Sequence, residues 1–395
     1  MFKKKEALIF LVMAFITGIC GSFFYPLSSL FIIEALGATP MMLSVYMILS
    51  IVSGIAVSQW IAARSDKGWN RKNILLFSLS CYLITVLSFS FIRDYYVAIA
   101  VSMVFGALSG SGFGQLFALG REYADKHIKD STTFLSVMRA GIAIAWVVGP
   151  PIAFTLKSAF GFSASFVVAG MATFISLVLA WIYLPSSVIK GEEAPQETKG
   201  PFGATVVLFC IAVIFMCSAN NLYITSMPLY FSQELKVNAS WVGYMFGMAA
   251  LCEIPIMLKA GRLAARFGTM KMLALSLVSG CVFFVAMINV TEFWQLLAVQ
   301  VLNGFFIGIT ATLGMVALQD MMPNRLGTAS TLFSSLLQVS MLVASLSVGV
   351  VGEYFNYYTT FYVSLGLAAM ALIVLSYFVV RENSANREQL AQQAA

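Results

Sequence analysis

The chain alternates long apolar runs with short polar segments. An α-helix needs about 20 predominantly apolar residues to cross the hydrocarbon core of a bilayer, and the runs are close to or above that length. They are continuous rather than alternating, which excludes a membrane β-barrel. The pattern predicts an all-α membrane protein with twelve transmembrane helices, numbered in chain order, near 7–32, 41–63, 73–92, 95–118, 131–156, 163–184, 204–231, 240–259, 272–290, 294–317, 327–350 and 358–380.

The second half of the chain repeats features of the first half about 200 residues downstream. Pro26 recurs as Pro228, and Gly110 recurs as Gly308, each in a similar local setting. Duplicated bundles of apolar helices form the two halves of many secondary transporters, with the substrate path between them. The repeat therefore indicates a mechanism as well as a fold.

A polar segment rich in proline, glycine and glutamate separates the two halves. Such a composition is typical of a linker. We expect an N-terminal six-helix bundle at 1–184, a cytoplasmic linker at 185–203, a C-terminal six-helix bundle at 204–380 and a polar cytoplasmic tail at 381–395.

Composition and charge agree with this topology. Hydrophobic residues make up 60% of the chain and charged residues only 10%, whereas a soluble domain has about 25% charged residues. With the amino terminus inside, 19 Lys and Arg residues fall in cytoplasmic segments and 3 in outer loops, while Arg139 lies within a helix. This asymmetry follows the positive-inside rule and predicts two cytoplasmic termini. The net charge of +6 thus reflects topology, and we expect no nucleic-acid partner.

The chain lacks the residues that hydrolytic enzymes and metalloproteins need. His127 is the only histidine, and the six cysteines fall in apolar spans without metal-ligand spacing. Neither a phosphate-binding loop nor a zinc-protease motif occurs. We therefore expect no enzymatic activity, no cofactor and no metal site.

Two ionisable residues lie deep within predicted helices, where charge is expensive and commonly functional. Arg139 in helix 5 and Glu253 in helix 8 both lie roughly 12 Å from the inner helix ends. Their repeat partners are Gln338 and Gly54, so the halves differ where they carry opposite charges. One hypothesis is a bridge that breaks as the halves rock, after which Glu253 takes up a proton. The alternative is a static bridge that holds helices together.

Polar and aromatic residues at mid-membrane depth are candidates for substrate binding. Amide and phenol groups both donate and accept hydrogen bonds, which suits a neutral polyhydroxyl ligand better than an ion. The adjacent Asn220 and Asn221 are the strongest candidates, because burying two amides without a role is costly. The full predicted set is Asn220, Asn221, Asn303, Gln338, Tyr25, Gln115 and Trp146.

Glu34 occupies the outer end of helix 1. Solvation is easy at a helix end near the membrane surface, so we interpret Glu34 as a solvated rim residue, with an outer gate as the alternative.

The loop between helices 2 and 3 resembles the signature loop of the major facilitator superfamily. It carries Asp66, Arg71 and Lys72, with one extra residue between the aspartate and the basic pair. In the second half Ala265 stands in place of the aspartate. The resemblance implies the twelve-helix fold of that superfamily. It also implies that Asp66 pairs with nearby basic groups and the start of helix 11, which stabilises an outward-open state.

Two further segments narrow the resemblance. Gly149 and Pro150 belong to a run, WVVGPP, that is similar to the Gly-Pro motif of the drug-antiporter branch, which implies export. The segments 139–151 and 252–255 are similar to bacterial sugar efflux transporters of the Set type. In this superfamily helices 5 and 8 meet at the interface between halves, which implies that Arg139 and Glu253 are within reach of each other.

Taken with the residues, this resemblance predicts a secondary active transporter of the bacterial inner membrane that exports sugars or glycosides similar to lactose or glucose. Proton antiport with alternating access is the expected mechanism. We expect a monomer whose partners are the sugar, protons and membrane lipid.

The nearest alternative is a proton-coupled multidrug exporter of amphipathic or cationic compounds. A cationic substrate would require a carboxylate in the cavity, and only Glu253 is available there. A non-transporting receptor is a further alternative, but it would not require duplicated halves or a charge pair between them.

Overall fold

The computed structural model describes residues 5–65, 69–128, 131–185, 202–323 and 325–394. These residues are almost entirely helical and include no strand. Within the described residues, twelve helices are long and apolar enough to cross a membrane, which confirms the predicted class and number of spans. Their bounds, from helix 1 to helix 12, are Lys5–Glu34, Pro40–Ser65, Arg71–Phe91, Tyr95–His127, Ser131–Phe160, Phe162–Tyr183, Ala204–Glu234, Ser240–Phe267, Thr269–Asn289, Phe293–Met321, Leu326–Tyr354 and Thr359–Ala394.

Several helices extend beyond their apolar runs. Helix 4 continues to His127, helix 8 to Phe267 and helix 12 to Ala394. These extensions are polar but rich in alanine, arginine, glutamate and glutamine, which all favour helix. The apolar run therefore defines where a helix crosses lipid but not where the helix ends.

Contacts between Cα atoms divide the chain into two compact units. The first unit comprises helices 1 to 6 together with Met227–Ala250, which is the last part of helix 7 and the first part of helix 8. The second unit comprises the rest of helices 7 and 8 with helices 9 to 12. Most of the predicted linker, 186–201, lies outside the described residues, so the predicted domain boundaries stay a prediction.

Proline is accommodated differently in different helices. Helix 1 stays α-helical through Pro26, and helix 5 stays α-helical through Pro150. In helix 7, Pro228 is followed by a π-helical turn at Tyr230–Glu234. A proline lacks an N–H donor and crowds the preceding turn, and a wider turn relieves both effects. Helix 7 therefore has an irregular backbone where the first-half copy has none.

Aromatic rings fill the core of the first unit. Phe31, Phe89 and Phe166 come from helices 1, 3 and 6 and are almost fully buried. Their ring centroids lie 5.2 to 5.7 Å apart, within the range of favourable aromatic pairs. These three helices are thus joined by one ring cluster.

Glycines bring helix 5 into contact with helices on two sides. A Cβ placed on Gly149 would collide with the Ser22 Oγ of helix 1. A Cβ placed on Gly243, at the start of helix 8, would lie 2.6 Å from the Pro150 main-chain oxygen. Lipid offers helices no hydrophobic drive to associate, so close backbone approach at small residues supplies the contact energy. The predicted motif at Gly149 and Pro150 is therefore a packing device within the first unit.

The core of the second unit is also aromatic. Tyr223 of helix 7 packs against Phe283 of helix 9 with ring centroids 5.0 Å apart. Phe284 packs against Phe306 of helix 10 at 6.4 Å. Large apolar side chains such as Ile373, which is 71% exposed, form the outer surface expected of a protein surrounded by lipid.

The glycine contact predicts the outcome of a single-methyl substitution. Gly149→Ala should lower the midpoint of thermal unfolding of the purified protein, because helices 1 and 5 must separate, and overpacking of this kind costs about 1–3 kcal/mol. Gly21→Ala on helix 1 is the matched control, since nothing lies within 4 Å of its Cβ. That control should be neutral or slightly stabilising. Equal midpoints for the two variants would contradict the contact.

Candidate functional site

A cavity of about 150 Å³ lies within the second unit, among helices 7, 10 and 11. Its walls are mainly apolar, and its polar lining residues are Asn220, Asn221 and Thr310. The apolar lining residues are Met216, Cys217, Phe306, Ile307, Ala311, Phe333 and Leu337. Apolar walls with a few placed polar groups are typical of small-molecule sites.

The two adjacent asparagines in this cavity have different hydrogen-bond states. The Asn221 Nδ2 group donates to Ser340 Oγ on helix 11 at 3.0 Å. Asn220 Oδ1 is buried and accepts no hydrogen bond from any described residue. A buried acceptor left unpaired costs about 1–3 kcal/mol, so native proteins rarely retain one without a reason. A ligand hydroxyl in the cavity would supply the missing donor.

A second polar cluster in the same unit lies away from the cavity lining. Gln300 Oε1 accepts from the Tyr223 hydroxyl at 3.2 Å and from Asn303 Nδ2 at 3.1 Å. All three side chains are buried, and Asn303 Oδ1 has no partner among the described residues. Gln300 was not among the predicted site residues. Its position three residues before Asn303, on the same helix face, was the available clue.

The other predicted substrate residues are dispersed. Gln338 is half-buried on helix 11, beside the cavity-lining Leu337. Tyr25 and Trp146 are half-buried on helices 1 and 5 of the first unit. Gln115 is buried on helix 4 of the first unit. Of the seven candidates, the cavity thus brings together Asn220 and Asn221.

The two predicted coupling residues belong to different units. Arg139 is exposed on helix 5 in the first unit, and Glu253 is half-buried on helix 8 in the second. The Glu253 main-chain oxygen lies 3.1 Å from where a Cβ of Gly308 would be. Gly308 does not line the cavity itself but lies on helix 10 between the cavity-lining residues Ile307 and Thr310. The main chain of Glu253 therefore packs against helix 10, which forms part of the cavity wall.

Arg71 and Lys72 of the predicted signature loop tie helix 3 to its neighbours, whereas Asp66 lies outside the described residues. Arg71 Nε lies 2.7 Å from Glu122 Oε1 on helix 4, and its Nη1 donates to Gln115 Oε1 at 3.5 Å. Lys72 Nζ donates to the Leu184 main-chain oxygen at 2.6 Å. Glu122, whose side chain is only 11% exposed, was not among the predicted site residues.

At the opposite end of the first unit a second ion pair forms. Glu34 Oε2 lies 2.7 Å from Lys157 Nζ of helix 5, and both side chains are under one-fifth exposed. The Ser232 hydroxyl also donates to Glu34, and Ser158 Oγ donates to Asn238 Oδ1 at 2.7 Å. The interpretation of Glu34 as a solvated rim residue was wrong, because Lys157 and Ser232 approach it closely. These five residues are called the far-end cluster.

Comparison with protein families and curated relatives gives one consistent result. The model of the Major Facilitator Superfamily matches residues 10–210 and 207–395. Sugar efflux transporter A of Dickeya chrysanthemi is 35% identical over 93% of this chain and 94% of its own length. Sugar efflux transporter B of Salmonella typhimurium is 34% identical over 93% and 94%. Sugar efflux transporter C of Escherichia coli K12 is 32% identical over 94% and 95%.

Solved structures match the fold at low sequence identity. The nucleoside transporter NupG aligns with a TM-score of 0.75 at 13% identity, covering 95% of this chain and 99% of that one. A bacterial homologue of the iron transporter ferroportin aligns with a TM-score of 0.76 at 14% identity, covering 95% and 99%. At such identities the likeness concerns the fold alone.

The unpaired amide oxygen predicts opposite effects at two neighbouring positions. Asn220→Leu should raise the unfolding midpoint of the ligand-free protein, because it removes a buried acceptor worth about 1 kcal/mol or more. Asn221→Leu, which has the same change in side chain, should lower the midpoint because it removes the hydrogen bond that Asn221 Nδ2 donates to Ser340 Oγ. Thermal unfolding in one detergent compares the two. Equal destabilisation would indicate a structural partner for Asn220.

Proposed function

The chain belongs to the major facilitator superfamily as a sugar efflux transporter, and we propose that it expels its sugar in exchange for protons. It is a multi-pass protein of the inner membrane and not an enzyme. The single observation that carries the choice of substrate is identity above 30% to several sugar efflux transporters across nearly the whole chain. Both six-helix halves belong to one chain, so we propose that a monomer is sufficient for transport.

The orientation that we propose follows from charge. Basic residues concentrate at the ends of helices 2, 3, 8 and 9 that would share a side with the amino terminus. Such segments stay in the cytoplasm, so both termini are assigned to that side. The far-end cluster then lies on the extracytoplasmic side.

The cavity among helices 7, 10 and 11 is the proposed sugar subsite of the second unit. Its lining includes no acidic or basic side chain among the described residues, which disfavours a cationic drug as substrate. The Asn220 carbonyl oxygen would accept from a sugar hydroxyl, and Thr310 adds a hydroxyl that donates and accepts. Phe306 and Phe333 supply flat apolar faces for the ring carbons. A neutral polyhydroxyl compound matches this combination.

Coupling is assigned to Glu253 together with Arg139. Glu253 has no hydrogen-bond or ion-pair partner among the described residues of its own unit, so its charge must be balanced by a proton or by a group outside that unit. The Glu253 main chain contacts Gly308 on helix 10, and helix 10 also carries residues that line the cavity. Sugar in the cavity and the state of Glu253 would therefore influence each other through helix 10. The alternative role, a static bridge, predicts no such influence.

The far-end cluster is the proposed outer gate. Glu34 and Lys157 are sheltered, so their attraction is stronger than that of an exposed pair. Ser232 belongs to the segment that follows Pro228, and Asn238 precedes helix 8. Breaking these contacts would free that segment from helices 1 and 5, as alternating access requires.

Transport by purified protein in liposomes tests the function. An imposed pH gradient should drive labelled lactose and glucose across the membrane in the direction opposite to proton flow. The same gradient should not drive a cationic dye. Sugar movement that ignores the gradient would refute antiport. Movement of the dye alone would favour the multidrug alternative.

The coupling role predicts a separation of two activities. Glu253→Gln should abolish sugar transport driven by a pH gradient, because the amide cannot release a proton. Exchange of internal for external labelled sugar should continue, because exchange needs no net proton movement. Glu292→Gln is the control, since this exposed residue lies at the start of helix 10. Unchanged gradient dependence in Glu253→Gln would support the static bridge instead.

The gate role predicts a change in accessibility. In a protein carrying Ser232→Cys, at a half-buried position beside Glu34, addition of Glu34→Gln should speed labelling by a membrane-impermeant maleimide about fivefold or more, since a sheltered ion pair holds the closed state by about 1 kcal/mol or more. Tyr96→Cys, at an exposed position on helix 4, should label at the same rate with and without Glu34→Gln. Equal labelling rates for the Ser232→Cys thiol in both backgrounds would exclude the gate.

A further inference from the structure

The turn between helices 8 and 9 carries two positive charges that form no ion pair with any described residue. Arg266 lies at the end of helix 8 and Lys271 in the first turn of helix 9, and both side chains are exposed. Within the second unit neither forms an ion pair with a described residue. The Arg266 guanidinium instead lies 5.2 Å from the ring centroid of Phe267. These two cations and the start of helix 9 are called the basic corner.

The start of helix 9 adds a partial positive charge. Helix 9 is 21 residues long and begins after Gly268, whose φ of 93° is a conformation that glycine adopts easily. Glycine has no side chain to cap the helix, so the first N–H groups lack a side-chain acceptor. A helix amino terminus with free N–H groups favours phosphate and other anions.

The corresponding turn in the first unit is closed by its own residues. There Asn70 Oδ1 caps helix 3 by accepting from the Lys72 backbone N–H at 3.0 Å. Arg71 is paired with Glu122 at 2.7 Å. The Lys72 ammonium group donates to the Leu184 oxygen. The two halves thus have equivalent helices at this turn. In the first unit the basic side chains Arg71 and Lys72 have partners within the protein, whereas in the second unit Arg266 and Lys271 form no ion pair with a described residue.

A cavity of about 520 Å³ opens at the basic corner. Arg266 and Lys271 form its charged end, and Leu275 and Phe305 form its apolar end. A ligand that fills it must therefore be anionic at one end and apolar at the other.

An apolar groove of about 640 Å³ continues from this cavity, because Leu275 and Phe305 line both. The only hydroxyl in the groove, on Ser279, already donates to the Leu302 main-chain oxygen at 3.0 Å. Along helix 8 the charged and apolar sites extend from Arg266 to Cys252, roughly 21 Å at 1.5 Å per residue. One leaflet of hydrocarbon is about 15 Å thick, so the groove accommodates a lipid chain over its length.

We propose that the basic corner and this groove bind one acidic phospholipid. Its phosphate contacts Arg266, Lys271 and the first N–H groups of helix 9, and one acyl chain lies in the groove among helices 8, 9 and 10. Ordinary surrounding lipid needs neither a charged cavity nor an uncapped helix start. The groove includes Cys252, which precedes Glu253, so the bound chain packs against the helix that carries the coupling residue.

Binding to the full chain, purified and stripped of lipid, tests the proposal. Phosphatidylglycerol should be retained in native mass spectrometry, and should raise the unfolding midpoint, at about one-tenth the concentration needed for phosphatidylcholine. The double variant Arg266→Gln/Lys271→Gln should lose this preference. Lys259→Gln/Arg262→Gln removes the same charge from exposed positions on helix 8 that do not line the cavity, and it should keep the preference. Equal loss of the preference for phosphatidylglycerol in both double variants would show that the preference depends only on surface charge, and would overturn the proposed site.

A second comparison separates lipid from free anion. Val278→Trp fills the groove from a position that is 44% exposed, and should weaken long-chain phosphatidylglycerol about tenfold. Short-chain phosphatidylglycerol should bind the wild-type protein as weakly as the long-chain lipid binds Val278→Trp. This comparison tests the groove without relying on a variant. Inorganic phosphate at millimolar concentration should not displace the long-chain lipid. Full displacement by phosphate, with no effect of chain length, would leave an anion site only and overturn the lipid assignment.

Discussion

Close backbone contact between helices is the constraint on which this molecule depends. In lipid, an apolar side chain gains nothing by moving from solvent to a helix interface, so packing must supply the cohesion. The contacts concentrate where a side chain is missing, as at Gly149 beside Ser22 and at Gly308 beside the Glu253 main chain. At Gly149 the backbone of helix 5 meets the short side chain of Ser22, and at Gly308 the backbone of helix 10 meets the Glu253 main chain. A larger side chain at either glycine would force the two helices apart.

Polar groups in the second unit divide into those that the protein satisfies and those that it leaves open. Tyr223 and Gln300 satisfy each other in the core, so they stabilise the contact between helices 7 and 10. Asn220, one turn away from Tyr223 on helix 7, has an unpaired carbonyl oxygen beside the cavity. A buried unpaired acceptor lowers stability, and this loss is tolerated where a ligand recovers it. Asn303 Oδ1 is also unpaired among the described residues but does not line the cavity, so an unpaired acceptor indicates a ligand contact only where it borders the cavity.

The helices and the family were predictable from sequence, but most side-chain partners were not. Run length alone predicts a membrane helix, so all twelve spans were found. Which face of a helix meets its neighbour is not encoded in that length, because lipid-facing and core-facing positions are both apolar. The partners of Arg71 and Glu34 therefore stayed hidden, although both residues were noted. Depth in the membrane likewise grouped Asn303 with Asn220, and only packing separates them.

The two halves share a glycine contact between helices but differ in the charge beside it. Gly110 meets Ser58 and Gly308 meets Ile256, so helices 4 and 10 approach helices 2 and 8 in the same way. On that shared contact the second half alone adds a carboxylate, Glu253, whose main chain lies at the glycine. A charge at this point can change its protonation without altering the packing, because its backbone contact does not involve the carboxyl group. Duplication thus supplied a fixed joint, and substitution beside it supplied the group that responds to protons in the mechanism proposed above.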